Sequence, residues 1–205
     1  MSARSSRPFP GSGERSGRDG RVRSITESTV TESTATEPAC DIYQAVFTVE
    51  DNVGFLRKVR EVADACGTHI ILLDADRLAG REHVEAALRH ARRSWAGGEP
   101  IANSFEMETL LYAAGSRQCQ VGSSFGIHPG KNRAFVAVCP PAPGVRDRLS
   151  RLVTFVDEDW EAIDPAKRAR LADLFGITPE EVAVVGEGRV RDLVLERVAL
   201  LDVYR

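Results

Sequence analysis

His69-Ile70-Ile71-Leu72-Leu73 is an unbroken apolar run of strand length with polar flanks, and it limits the fold more than any other stretch. A strand that is apolar at every position must be covered on both faces, so layers of helix on either side of a sheet are required. The residues before it fit that demand. Ile42, Val46, Phe47 and Val49 predict a first strand starting near Asp41. Asn52 is then placed to cap a helix whose Phe55, Leu56, Val59, Val62, Ala63 and Cys66 share one side, and Gly67 stops it. The opening therefore reads as β-α-β.

Downstream, Val84, Ala87, Leu88, Ala91 and Trp95 repeat at helical spacing and end at Gly97-Gly98. A third helix is expected from Asn103, with Glu106 reaching back as a capping box and Met107, Leu110, Leu111 and Ala114 as its apolar stripe, closed by Gly115. Phe135 to Val138 predict another strand, ended by Pro140-Pro141, and short strands could hide between 116 and 130. From Val145 onward the pattern is helical, in segments near 145–157, 164–175, after Thr178 and 188–202. The fold class expected is α/β: a small mixed β-sheet flanked by helices, with a helical C-terminal third.

Residues 1–38 are set apart from this single domain, 39–205. They hold six arginines up to Arg23 and then a Thr, Ser and Glu tract, with too little apolar surface to offset the entropy of ordering. A solvated tail, a start codon assigned too far upstream and a basic arm that touches RNA are the readings open for it. No apolar run is long enough to span a membrane or to act as a secretory signal, so a soluble, cytoplasmic protein is expected. Cys40, Cys66, Cys119 and Cys139 lack paired spacing and are expected to be reduced.

Catalytic patterns fail one by one. His83 and His90 lie on a helix with a charged polar face and are expected at the surface, so no metal site and no cofactor is predicted. Gly126 to Asn132 has the wrong spacing and context for a phosphate loop, and Gly186-Glu187-Gly188 lacks the third glycine of a dinucleotide site. Cys119 with His128 as nucleophile and base has no orienting third group. What does stand out is charge. With 27 Lys and Arg against 30 Asp and Glu the chain is net negative, yet residues 109–146 contain no acid and carry Arg117, Lys131, Arg133 and Arg146. The same stretch supplies Ser116, Ser123, Ser124 and Asn132 as donors, glycines that allow close approach, and Phe125 as a stacking surface. These are parts of a site for a phosphate-bearing chain end; the alternative is a Gly-rich loop whose charges only solvate it. Arg117 could also serve the carbonyls at the end of the third helix, whereas Lys131 and Arg133 have no such duty. On the last helix, Val190, Leu193, Val194, Val198 and Leu201 share a core-facing arc while Leu195 and Val203 point elsewhere, as a partner interface would need.

The stretch Asn103 to Gln118, above all Leu110-Leu111-Tyr112-Ala113-Ala114-Gly115-Ser116-Arg117-Gln118, resembles the small regulatory subunit of the KEOPS (EKC) complex, the family of the p53-related-kinase-binding protein. Leu72-Leu73-Asp74-Ala75-Asp76, Gly122 to Ile127 and Leu195 to Leu201 support the resemblance, which covers about 40–204. Cys119-Gln120-Val121 departs from the hydrophobic, helix-continuing stretch expected there. The resemblance implies a non-catalytic subunit of the complex that installs threonylcarbamoyl on adenosine 37 of tRNA. Its partners would be the kinase-like ATPase subunit, through it the threonylcarbamoyl transferase subunit, and the tRNA 3′ CCA end. Arg117, Gln118, Ser116, Lys131 and Arg133 are then the candidate RNA contacts, and Leu195 and Val203 the candidate partner contacts. A protein-interaction module that regulates the ATPase without touching RNA is the alternative.

Overall fold

A computed structural model describes residues 40–203, so the expectations for residues 1–38 lie outside the described residues. Four strands form one sheet: β1 (Asp41–Val49), β2 (His69–Asp74), β3 (Gly130–Cys139) and β4 (Thr154–Val156), in the order β2-β3-β1-β4 with every neighbouring pair antiparallel. The α/β class holds. The β-α-β opening is split, because β3 inserts between the two strands that α1 (Asn52–Cys66) connects. β3 pairs with β1 from Gly130 to Val138 and with β2 from Ala134 to Cys139.

Alternation along the strands divides the core into two layers. Ile42, Ile71, Leu73, Phe135, Ala137 and Cys139 face α2 (Arg81–Ala96), α3 (Phe105–Ala113), α6 (Pro165–Phe175) and α8 (Val190–Val203). Ala45, Phe47, Val49, Ile70, Leu72, Ala134, Val136 and Val138 face α1 and α5 (Val145–Leu149). Two short helices complete the described fold, α4 (Cys119–Ser123) and α7 (Pro179–Val185). No described helix is long and apolar enough to cross a membrane.

Several expectations are corrected. The 145–157 segment is helical only to Leu149 and then returns to the sheet as β4, while the stretch from 116 holds α4 and no strand before β3 opens at Gly130. Asp51, one residue earlier than expected, caps α1 by accepting from the amides of Val53 and Gly54. Ser104, not Asn103, caps α3, and Glu106 turns aside to His69 at 2.8 Å. His83 and His90 are buried: His83 lies against Ala113 of α3 and the ring of Phe175 of α6, and His90 against Tyr112 of α3 and Asp202 of α8. His83 Nδ1 accepts from the Ala79 amide at 3.2 Å and Nε2 donates to Ala113 O at 2.9 Å, which is the neutral tautomer; burial holds its pKa down to about 4. Cys40 and Cys139 are not reduced. They are joined in a disulfide across the ends of β1 and β3, where the register sets them side by side with Cα atoms 4.7 Å apart. Cys66 and Cys119 are free.

Candidate functional site

The acid-free segment begins where α3 ends. Gly115, at φ 57°, closes the helix: its N–H donates to Tyr112 O and the Ser116 N–H to Leu111 O, the paired bonds of a Schellman turn. A side chain at 115 would also press on Arg197 O of α8 at 3.3 Å, so glycine is required there by both conformation and space. Beyond it, the Ser116 hydroxyl accepts from the Gln118 amide at 3.2 Å, leaving Arg117 and Gln118 exposed at the start of α4. Gly122 lets α4 settle on α3, since a Cβ there would lie 2.8 Å from a Leu111 methyl.

The second half of the segment is a turn tied by Asn132. Its side chain accepts from the His128 amide and donates to the carbonyls of His128 and Gly130, and it is 4% exposed. Asn132 is therefore a structural tie and not a free donor. Phe125 is likewise withdrawn from the surface: it is 1% exposed and packs edge-on against Phe175, so it offers no stacking platform. Lys131 and Arg133 share one face of β3 at its start, two residues apart, and both are exposed. Arg133 is already engaged, with Asp76 at 3.2 Å and the ring of Trp160 beneath its guanidinium at 4.8 Å. Among the described residues Arg117 and Lys131 have no ion-pair partner. The structure thus brings Lys131 and Arg133 together on β3, while Arg117 lies two residues past the glycine that ends α3.

Two concavities border this segment. The smaller, about 430 Å³, is polar and lined by Asp74, Asp76, Arg77, Ser124, His128 and Arg170. Burial raises the pKa of Asp74, whose carboxylate is fixed by the Asp76 amide and approached by Arg77 Nε at 3.6 Å. The larger is a groove of about 1110 Å³ between α1 and α3, with Ile70 to Leu72 of β2 as its floor and Ser123, Gly126 and Ile127 of the acid-free segment at one end. Sequence reasoning missed the groove, although Val53 and Leu56 near the start of the first helix were a signal that its apolar residues exceed one buried face. His69 and Glu106 close its rim. Burial pulls the Glu106 pKa up, but hydrogen bonds from His69 and the backbone outweigh it and leave the carboxyl below its usual value.

Cys119 and His128 are not brought together as nucleophile and base. His128 Nδ1 faces Pro129 O at 3.0 Å, and no contact joins it to the exposed Cys119. Among the described residues no group of three or more His, Cys, Asp or Glu converges as a metal site would require. On α8, Leu195 is half-buried and Val203 is 71% exposed. Two acids that sequence reasoning passed over do structural work instead. Glu108 is wholly buried and accepts from Ser94 Oγ and the amides of Ile101 and Ala102 at 2.6 to 2.8 Å. Asp202 receives the Tyr112 hydroxyl and His90, fixing the end of α8 to α2 and α3.

No protein-family model matches the chain. The chain is similar to the regulatory protein Cgi121 of Methanocaldococcus jannaschii, with 28% identity over 139 residues, which is 68% of this chain and 87% of the relative.

Proposed function

We propose that the protein is a non-catalytic accessory subunit of a KEOPS-type complex, one that binds a kinase-like ATPase subunit and the 3′ CCA end of tRNA in support of threonylcarbamoyladenosine formation at position 37. The observation that carries this reading is the likeness, through most of both chains, to a protein named as regulatory. It agrees with the KEOPS-type pattern from Leu110 to Gln118 and with the exposed cations of a segment that has no acid of its own.

In this reading Ser116, Arg117, Gln118 and Lys131 meet phosphates of the acceptor end. Arg133 joins them by exchanging its contact with Asp76, an exposed pair that costs little to open. Leu195 and Val203 of α8 supply the apolar contact to the ATPase subunit. The mechanism is positioning: a tRNA held at one end is presented to an active site on another chain at raised effective concentration. Gel shifts with full-length and CCA-trimmed tRNA test it. Trimming should weaken binding, and Arg117→Ala with Lys131→Ala should lower the salt slope by about 1 to 2. Equal affinity for the two tRNAs sinks the acceptor-end assignment.

One observation favours the alternative of a module that regulates the ATPase without RNA: Arg133 is paired and Phe125 buried, which leaves fewer groups for a nucleotide. ATPase assays with and without this chain, in the absence of tRNA, separate the two. Stimulation that tRNA does not alter is the outcome the alternative requires.

A further inference from the structure

We propose that the groove between α1 and α3 is a docking site for an extended peptide segment of a partner protein, which adds as a fifth strand to the free edge of β2. β2 stands at one edge of the sheet, with β3 as its sole strand neighbour. The Asp74 amide points away from β3, since it donates to Phe125 O at 2.8 Å. In an antiparallel ladder such residues recur every second position, so Leu72 and Ile70 turn their N–H and C=O groups to the same outer side. The position of Leu72 O agrees, 3.9 Å from where a Cβ on Gly126 would stand. Among the described residues neither Ile70 nor Leu72 has a backbone partner on that edge. Both are only 5 to 6% exposed, so these groups depend on what fills the groove.

Three further observations describe the occupant. Val53, Leu56 and Trp95 line the groove and are 79%, 48% and 38% exposed, so apolar side chains at alternate positions have surface to bury. Asn52 Oδ1 is buried in the same lining without a donor, which asks for an N–H. The lining carries Arg57 and Arg60 against Asp64 and Glu106, two charges of each sign, so backbone pairing and apolar side chains select the occupant rather than net charge. A peptide supplies alternating donors and acceptors at the strand repeat, about 6.8 Å for every second residue. A nucleic acid's phosphates offer acceptors only, so the carbonyls of Ile70 and Leu72 and Asn52 Oδ1 would have to be met by 2′-hydroxyls or base amines rather than by a regular ladder. The proposal is independent of where tRNA binds, because Arg117 and Lys131 are not part of the groove.

A random heptapeptide library displayed on phage, panned on the full chain and counter-selected on Leu56→Glu, provides the probe. Leu56 is exposed, so that variant keeps the fold, and circular dichroism verifies it. Selected peptides should carry apolar residues at alternate positions. Resynthesis with N-methyl groups on amides of one parity should lower affinity about tenfold, and on the other parity should leave it unchanged. The proposal is overturned if no peptide distinguishes wild type from Leu56→Glu, if N-methylation of either parity is without effect, or if a CCA-ended ribo-oligonucleotide loses binding in Leu56→Glu.

Discussion

The two faces of the sheet are finished to different degrees. On the side of α2, α3 and α8, buried polar groups have their partners: Glu108 takes three donors, both nitrogens of His83 are bonded, and Thr109 Oγ1 returns to Phe105 O. On the side of α1, Asn52 Oδ1 is buried without a partner, and Val53 and Leu56 stand in solvent. Both faces are apolar enough to cover a sheet. The difference teaches that stability is concentrated in the helical layer, whereas the α1 layer keeps unused contacts that only a second molecule can complete.

That contrast can be broken most readily at Glu108. Glu108→Ala strips three buried donors of their acceptor and should cost about 4–5 kcal/mol in urea denaturation, each orphaned donor contributing about 1–3 kcal/mol without full additivity. A loss below about 1 kcal/mol would show that water replaces the carboxylate and that the layer is less closed than described. Next comes the bridge between the ends of β1 and β3. Cys40→Ser with Cys139→Ser releases a 99-residue separation and should lower stability by about 4 kcal/mol, and thiol titration of the unfolded wild type without reductant should find two thiols. Four thiols in that titration would refute the bridge.

His83 sharpens the comparison through pH. Its folded pKa lies below the unfolded value, so between about 6.5 and 4 the unfolded chain holds the extra proton and stability falls as pH falls. The expected loss is about 3 kcal/mol from pH 7 to pH 4, and His83→Gln should flatten that limb. An unchanged acid limb in the variant would assign it to another group. The smallest effect is expected on the other face. Leu56→Glu should change stability by no more than about 0.5 kcal/mol, and a larger loss would mean that the groove is part of the core.

Much of this was readable in the sequence where one local rule dominates. The run from His69 to Leu73 did require cover on both faces, and Gly67, Pro165 and Thr178 did mark helix ends. Burial of His83 and His90 was not readable, because the charges between them on α2 are real but the covering residues, Ala113 and Phe175 for His83 and Asp202 for His90, arrive from far along the chain. The cysteine bridge was hidden for the same reason: only the β1–β3 register brings residues 40 and 139 together. At the candidate site, the exposure of Arg117 and Lys131 was legible as a charge imbalance. The withdrawal of Phe125 and Asn132 was not, since composition cannot distinguish a ligand contact from a packed ring or a turn tie.

The strand order carries a consequence for synthesis. The first two strands leave the ribosome with no mate, because the segment that pairs with both is some 60 residues further along. Until it emerges, the nascent chain can build α1 but cannot close any ladder, and its apolar strands stay open to wrong partners. Translation that stalls before residue 130 should therefore leave a chaperone client rather than half a domain.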